Sequence, residues 1–158
     1  MAGSTINGTT GNQYIDSRIV WTSTPNNDAN TSTVTAALYY KRNNTGFTTS
    51  GTGSFSLTIG GVKKSASKTM SITGGSWALA MEASVTIDHD TDGSKKITIS
   101  AAGSIPDTTL SSTSCSGTAT LDTIPRASSI TSAGAVTLGK ACSVKWTPLS
   151  KAFRYKLE

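Results

Sequence analysis

Histidine occurs once in this chain, at His89, and cysteine only twice, at Cys115 and Cys142. That scarcity leaves no His/Cys cluster with the spacing of a metal site, so no metal or cofactor is expected. No secretion signal is read in the polar start Met1-Ala2-Gly3-Ser4, and two free thiols are expected in preference to a Cys115–Cys142 disulfide. No apolar run approaches the ~20 residues of a membrane-crossing helix, so no membrane partner is expected. Charged residues make up 15% of the 158 positions, too few for a disordered chain kept open by its own charge. Apolar residues at every third and fourth position, the mark of a helix, are also missing.

The net charge of +5 is uneven. Residues 1–124 carry eight basic and eight acidic side chains, whereas residues 125–158 carry six basic and one acidic. A nucleic-acid surface needs a basic stripe with interleaved aromatics. The neutral main body has none, so nucleic acid is not an expected partner.

What is present is serine and threonine, about a third of the chain against the modest share usual in soluble domains, with Val, Ile and a strict period of two. The stretch Ser76–Gly103 shows it best. Trp77, Leu79, Met81, Ala83, Val85 and Ile87 fall on one face, and Ala78, Ala80, Glu82, Ser84 and Thr86 on the other. That is a strand with one buried face. Asp92-Gly93 then supplies a turn, and Ile97, Ile99 and Ala101 alternate again. Similar alternation predicts strands over Tyr14–Trp21, Thr31–Arg42, Phe55–Ile59 and Leu110–Leu121, with loops at Pro25–Asp28 and Asn43–Gly46. Gly60-Gly61 signals a hairpin into Val62–Ile72, whose lysines mark an edge strand. The segment Thr48–Gly53 is too polar and glycine-rich to assign.

About seven short strands without helices predict an all-β fold. The expected form is an antiparallel two-sheet β-sandwich, jelly-roll or lectin-like, over residues 1–124. At Ile124-Pro125 the composition shifts, and proline disfavours a central strand. Residues 125–129 read as a linker. Residues 130–158 read as the N-terminal fragment of an Ig-like or fibronectin-like module, so a longer native chain is expected.

Several motifs offer chemistry. Asp88-x-Asp90-x-Asp92-Gly93 copies the opening of a calcium loop, but its twelfth position is Ile99 where a bidentate Glu is needed. An acidic turn is the reading. His89 beside two carboxylates has the makings of a general base, yet no nucleophile stands out among so many serines; turn hydrogen bonding is expected, with ligand contact at a loop tip as the alternative. Glu82 and Asp16 would have to lie 5 to 10 Å apart to divide glycosidase roles, and nothing in their spacing places them so. The aromatics carry more. Sugars stack on aromatic rings while Asp, Asn, Arg or Lys bond their hydroxyls. Trp21, Tyr40 and Trp77 are in phase with aliphatic neighbours and read first as core. Tyr14, Arg18, Tyr39 and Lys41 share the opposite phase, and Phe47 follows a turn. The candidate carbohydrate site is Tyr14, Arg18, Tyr39, Lys41 and Phe47 with Trp77, His89 and Asp90.

Four stretches together carry a family resemblance: Ser17-Arg18-Ile19-Val20-Trp21; Asn30-Thr31-Ser32-Thr33-Val34 with Leu38-Tyr39-Tyr40-Lys41-Arg42; His89 with Asp92-Gly93-Ser94-Lys95-Lys96; and Thr123-Ile124-Pro125-Arg126-Ala127-Ser128. In order and spacing they resemble the N-terminal part of a minor structural protein of tailed phages of Gram-positive bacteria. The resemblance implies a non-catalytic virion component at the tail or baseplate, made in the host cytoplasm. Its implied partners are other phage tail proteins, further copies of itself, and host cell-wall polysaccharide. A purely structural assembly domain is the alternative, and a polysaccharide-degrading enzyme a more distant one.

Overall fold

A computed structural model describes residues 1–106, 108 and 110–126, with the backbone of 130–133 and 144–146. Eight strands form the main body: β1 (Gly3–Thr10), β2 (Ile15–Asn26), β3 (Thr31–Arg42), β4 (Thr49–Ile59), β5 (Val62–Ile72), β6 (Ala78–Asp88), β7 (Lys96–Ser104) and β8 (Thr113–Thr120). Two short antiparallel strands follow, β9 (Ile130–Ala133) and β10 (Val144–Trp146). The described residues contain no helix, as the sequence predicts. Further residues read as an Ig-like module, including Cys142 and Phe153, lie outside the described residues.

The two-sheet division does not describe the hydrogen bonding. One antiparallel sheet runs β5-β4-β7-β8-β1-β2-β3-β6 without a break. The link is β1, which pairs with β2 through Gly3–Gly8 and with β8 through Thr9–Thr10. The sheet rolls until its terminal strands, β5 and β6, touch. Lys68 on β5 donates from Nζ to the Leu79 carbonyl of β6 at 2.6 Å. The result is a nearly closed barrel. No sequence signal marked β1, because its residues are polar, small and mostly exposed.

Alternation explains the core. Ile19, Val34, Leu38, Tyr40, Leu57, Ile59 and Ile99 point inward and are fully buried. The β2–β3 ladder runs in unbroken register from Ile15–Arg42 to Asn26–Thr31 and takes in Pro25, which the sequence had assigned to a loop. The β4–β5 hairpin closes on Gly60-Gly61, with φ of 56° and 87°; positive φ at both positions suits glycine and matches the twist of a two-residue turn. β5 is a terminal strand, and Val62–Thr69 is exposed on both faces, Lys63, Lys64 and Lys68 included.

One departure from the period of two matters. Leu38 pairs with Met81, but Tyr39 pairs with Leu79, leaving Ala80 as an extra residue. Such a bulge reverses the facing of all that precedes it. Ala80 turns into the core at 2% exposure, and Leu79 turns out at 37%. Trp77, expected beside Met81 in the core, is half-buried on the outer face.

Candidate functional site

The outer faces of β2 and β3 meet the chain entering β6 at one end of the barrel. Arg18 pairs with Tyr39, and Tyr39 with Leu79, so these three form one row. The next row holds Asp16 opposite Lys41. Trp77 folds over both rows. Its ring centroid lies 4.0 Å from the Arg18 guanidinium carbon and 5.1 Å from Lys41 Nζ. Arg18 also sits 5.6 Å from the Tyr39 ring. Asp16 Oδ2 is 3.7 Å from Lys41 Nζ, a loose and partly exposed pair contributing about 0–1 kcal/mol.

The loops beyond these strands carry a second pair of rings. Tyr14 and Phe47 lie 5.8 Å apart between centroids, tilted by 36°. They border an open groove of about 630 Å³ that Asn12, Gln13 and Ser111 also line. Local hydrogen bonds fix the rings in place. Arg42 Nη1 donates to the carbonyls of Thr45 and Phe47, holding the β3–β4 loop. Tyr14 N donates to Asn12 Oδ1, and Asn43 N to the Tyr14 carbonyl. Asn43 Nδ2 reaches both the Gln13 carbonyl and Asp16 Oδ1, joining the groove to the Arg18–Trp77 patch. A further groove of about 570 Å³ is lined by Ser54, Ser56, Ser65, Ser67 and Lys63. It offers hydroxyls, but its one ring, Phe55, is buried at 2% exposure.

Six of the eight expected site residues therefore share one region: Tyr14, Arg18, Tyr39, Lys41, Phe47 and Trp77. His89 and Asp90 do not. They lie at the opposite end of β3, beside Asn30, about 33 Å from Lys41 at 3.3 Å per residue. His89 is buried, with Nε2 2.8 Å from Ser32 Oγ and Nδ1 2.8 Å from the Gly93 carbonyl. A carbonyl only accepts, so Nδ1 carries a proton, and in the neutral imidazole Nε2 then accepts from the Ser32 hydroxyl. This Ser–His contact ties β3 to the β6–β7 turn. With the serine at 1% and the histidine at 7% exposure, a substrate has no route to it. Asp90 pairs with Lys95 at 2.8 Å.

The acidic turn is self-satisfied as well. Asp92 Oδ1 accepts from Ser94 Oγ and Ser94 N, and these bonds hold its carboxyl below the usual carboxylate range. Among the described residues, no three His, Cys, Asp or Glu side chains gather as metal ligands. Glu82 faces out opposite Ala37, four residues along β3 from the Asp16 row. Sheet geometry puts Glu82 and Asp16 roughly 16 Å apart, beyond the glycosidase range of about 5 to 10 Å. Cys115 is buried, its thiol donating to the Ile6 carbonyl at 3.2 Å; Cys142 lies outside the described residues.

Periodicity alone could not reveal the Trp77 contact, because the bulge at Ala80 carries no sequence mark. The groove residues Asn12, Gln13 and Ser111 were also missed, since they sit in loops whose approach depends on how the sheet rolls. No curated protein and no solved structure matches the chain. A family model does, over residues 12–158, described as "Siphovirus protein of unknown function (DUF859)". That match spans nearly the whole chain, and the chain belongs to this siphovirus protein family.

Proposed function

We propose that the chain is a structural component of a siphovirus particle whose eight-stranded domain binds host cell-surface carbohydrate without turning it over. The observation that carries the reading is the Tyr14–Phe47 pair beside the Asn12 and Gln13 amides in an open groove. Rings at a groove wall accept the apolar face of a sugar, and amides and hydroxyls bond its rim. Tyr14 is 38% exposed, which leaves ring surface to offer. Placement at the tail or baseplate belongs to the same proposal and rests on the family resemblance.

Assembly is a second reading, favoured by one observation. The terminal strand β5 leaves Val62–Thr69 exposed on both faces. Such an edge can take a strand from a neighbouring protein, although three lysines along it oppose pairing.

The test fuses the full chain to a fluorescent protein and exposes it to Gram-positive cells and purified wall polysaccharide. Labelling that falls at least tenfold in Tyr14→Ala and Phe47→Ala supports carbohydrate binding. A chain that labels no candidate host or polysaccharide leaves assembly as the better account.

A further inference from the structure

We propose that the Arg18–Lys41–Trp77 face binds an oxyanion, a phosphate or a carboxylate, carried on the saccharide or polyol polymer that the groove engages. The inference rests on the carbohydrate reading above and narrows its ligand class. Arg18 stands 4.0 Å from the Trp77 ring centroid, so one ring face is already covered by a guanidinium. A neutral sugar stacking there would have to displace it. What the patch offers a ligand is the edge of Arg18.

Arg18 Nε is shut off from solvent and, among the described residues, has no hydrogen-bond partner, so the donors left for a ligand are those of the Nη end. None of the ion pairs among those residues involves its guanidinium. Trp77 and Tyr39 fix the group in place, which removes much of the rotamer entropy that a long side chain loses on binding. A guanidinium held in one place presents paired donors that match the two oxygens of a carboxylate or phosphate. Lys41 adds a second cation over the same ring. Among the described residues the carboxylate beside them is Asp16, which stands 3.7 Å from Lys41 and accepts from Asn43 through its other oxygen. Among the described residues, two cations therefore face outward beside one acid that is already engaged.

The groove and the patch are in reach of one ligand. Tyr14 and Arg18 are four residues apart along the chain, about 13 Å in extended backbone. Asn43 bridges the two regions. A polymer lying across them would place a sugar ring on Tyr14 and Phe47 and a charged substituent on Arg18.

The test measures binding of the full chain to immobilised poly(glycerol phosphate), polygalacturonate and dextran. Binding to one charged polymer at least tenfold tighter than to dextran is expected, and which one binds tells phosphate from carboxylate. Arg18→Gln should lose at least tenfold of that binding. Arg18→Lys, which keeps charge but not the fork, should lose less. Should Arg18→Gln fail to fold by its melting curve, Lys41→Gln and a salt series decide, because screened contacts weaken as ionic strength rises. Salt-independent binding, equal binding to dextran, or an unaffected Arg18→Gln chain overturns the oxyanion while leaving carbohydrate binding in place. Absence of binding to all three polymers, with unlabelled cells, overturns both. If cells are labelled and no polymer binds, Arg18→Gln labelling decides: a tenfold loss supports the proposal, and unchanged labelling overturns it.

Discussion

Arg18 and Trp77 are joined across an intervening strand, the guanidinium 4.0 Å from the indole centroid, although β2 and the start of β6 lie far apart in sequence. The contact sits on the outside of the barrel. Cation–π pairs of this exposure contribute about 0.5–1 kcal/mol. Trp77→Ala should therefore lower unfolding free energy by no more than about 1–2 kcal/mol while reducing cell labelling strongly. Denaturant melts and labelling of the same variant check this. Severe destabilisation would put Trp77 among the core residues after all.

Ala80 sets which way Trp77 faces. Deleting it should restore an even register between β3 and β6 and swing Trp77 and Leu79 inward. The expected result is loss of labelling with a blue-shifted indole emission relative to the parent. Retained labelling with unchanged emission would show that the bulge does not orient the ring.

Ser32 and His89 hold the far end of the barrel. Ser32→Ala strips His89 Nε2 of its donor in a buried setting, and about 1–3 kcal/mol of stability should go with it. Polymer binding by the folded variant should be unchanged, since the patch lies at the other end of β3. A binding loss in a fully folded Ser32→Ala chain would return His89 to the list of contact residues.

Tyr40 predicts an alkaline limit. Burial pushes its phenol from 10.0 up to about 12, opposed in part by its bond to Thr113. Above pH 10 the unfolded chain releases this proton more readily than the folded one. The contribution is whole below pH 10 and disappears as pH climbs through about 12. Melting temperature should fall across that window, and the Tyr40→Phe chain should fall less steeply.

Inward faces were legible wherever alternation went unbroken. Val34, Ala36, Leu38 and Tyr40 read as one buried face and are one. Reading failed where geometry was set from elsewhere in the molecule. β1 is recruited by its neighbours and not by apolar residues of its own. Trp77 turned outward through one inserted alanine. His89 looked available because it stood between two aspartates, yet a serine 57 positions away claims its ring. The loops that carry Tyr14 and Phe47 could be named, but their approach depends on the sheet rolling onto itself.

The ladder that joins β1 to β8 pairs Thr9 with Ser114 and Thr10 with Thr113. The ring of strands thus waits for residues Thr113–Thr120 to leave the ribosome before this seam forms. Contacts between such distant positions place folding in the slow, millisecond-to-second range. Until β8 arrives, the nascent sheet shows bare backbone along both β1 and β7, and it is in that interval that self-association threatens its assembly.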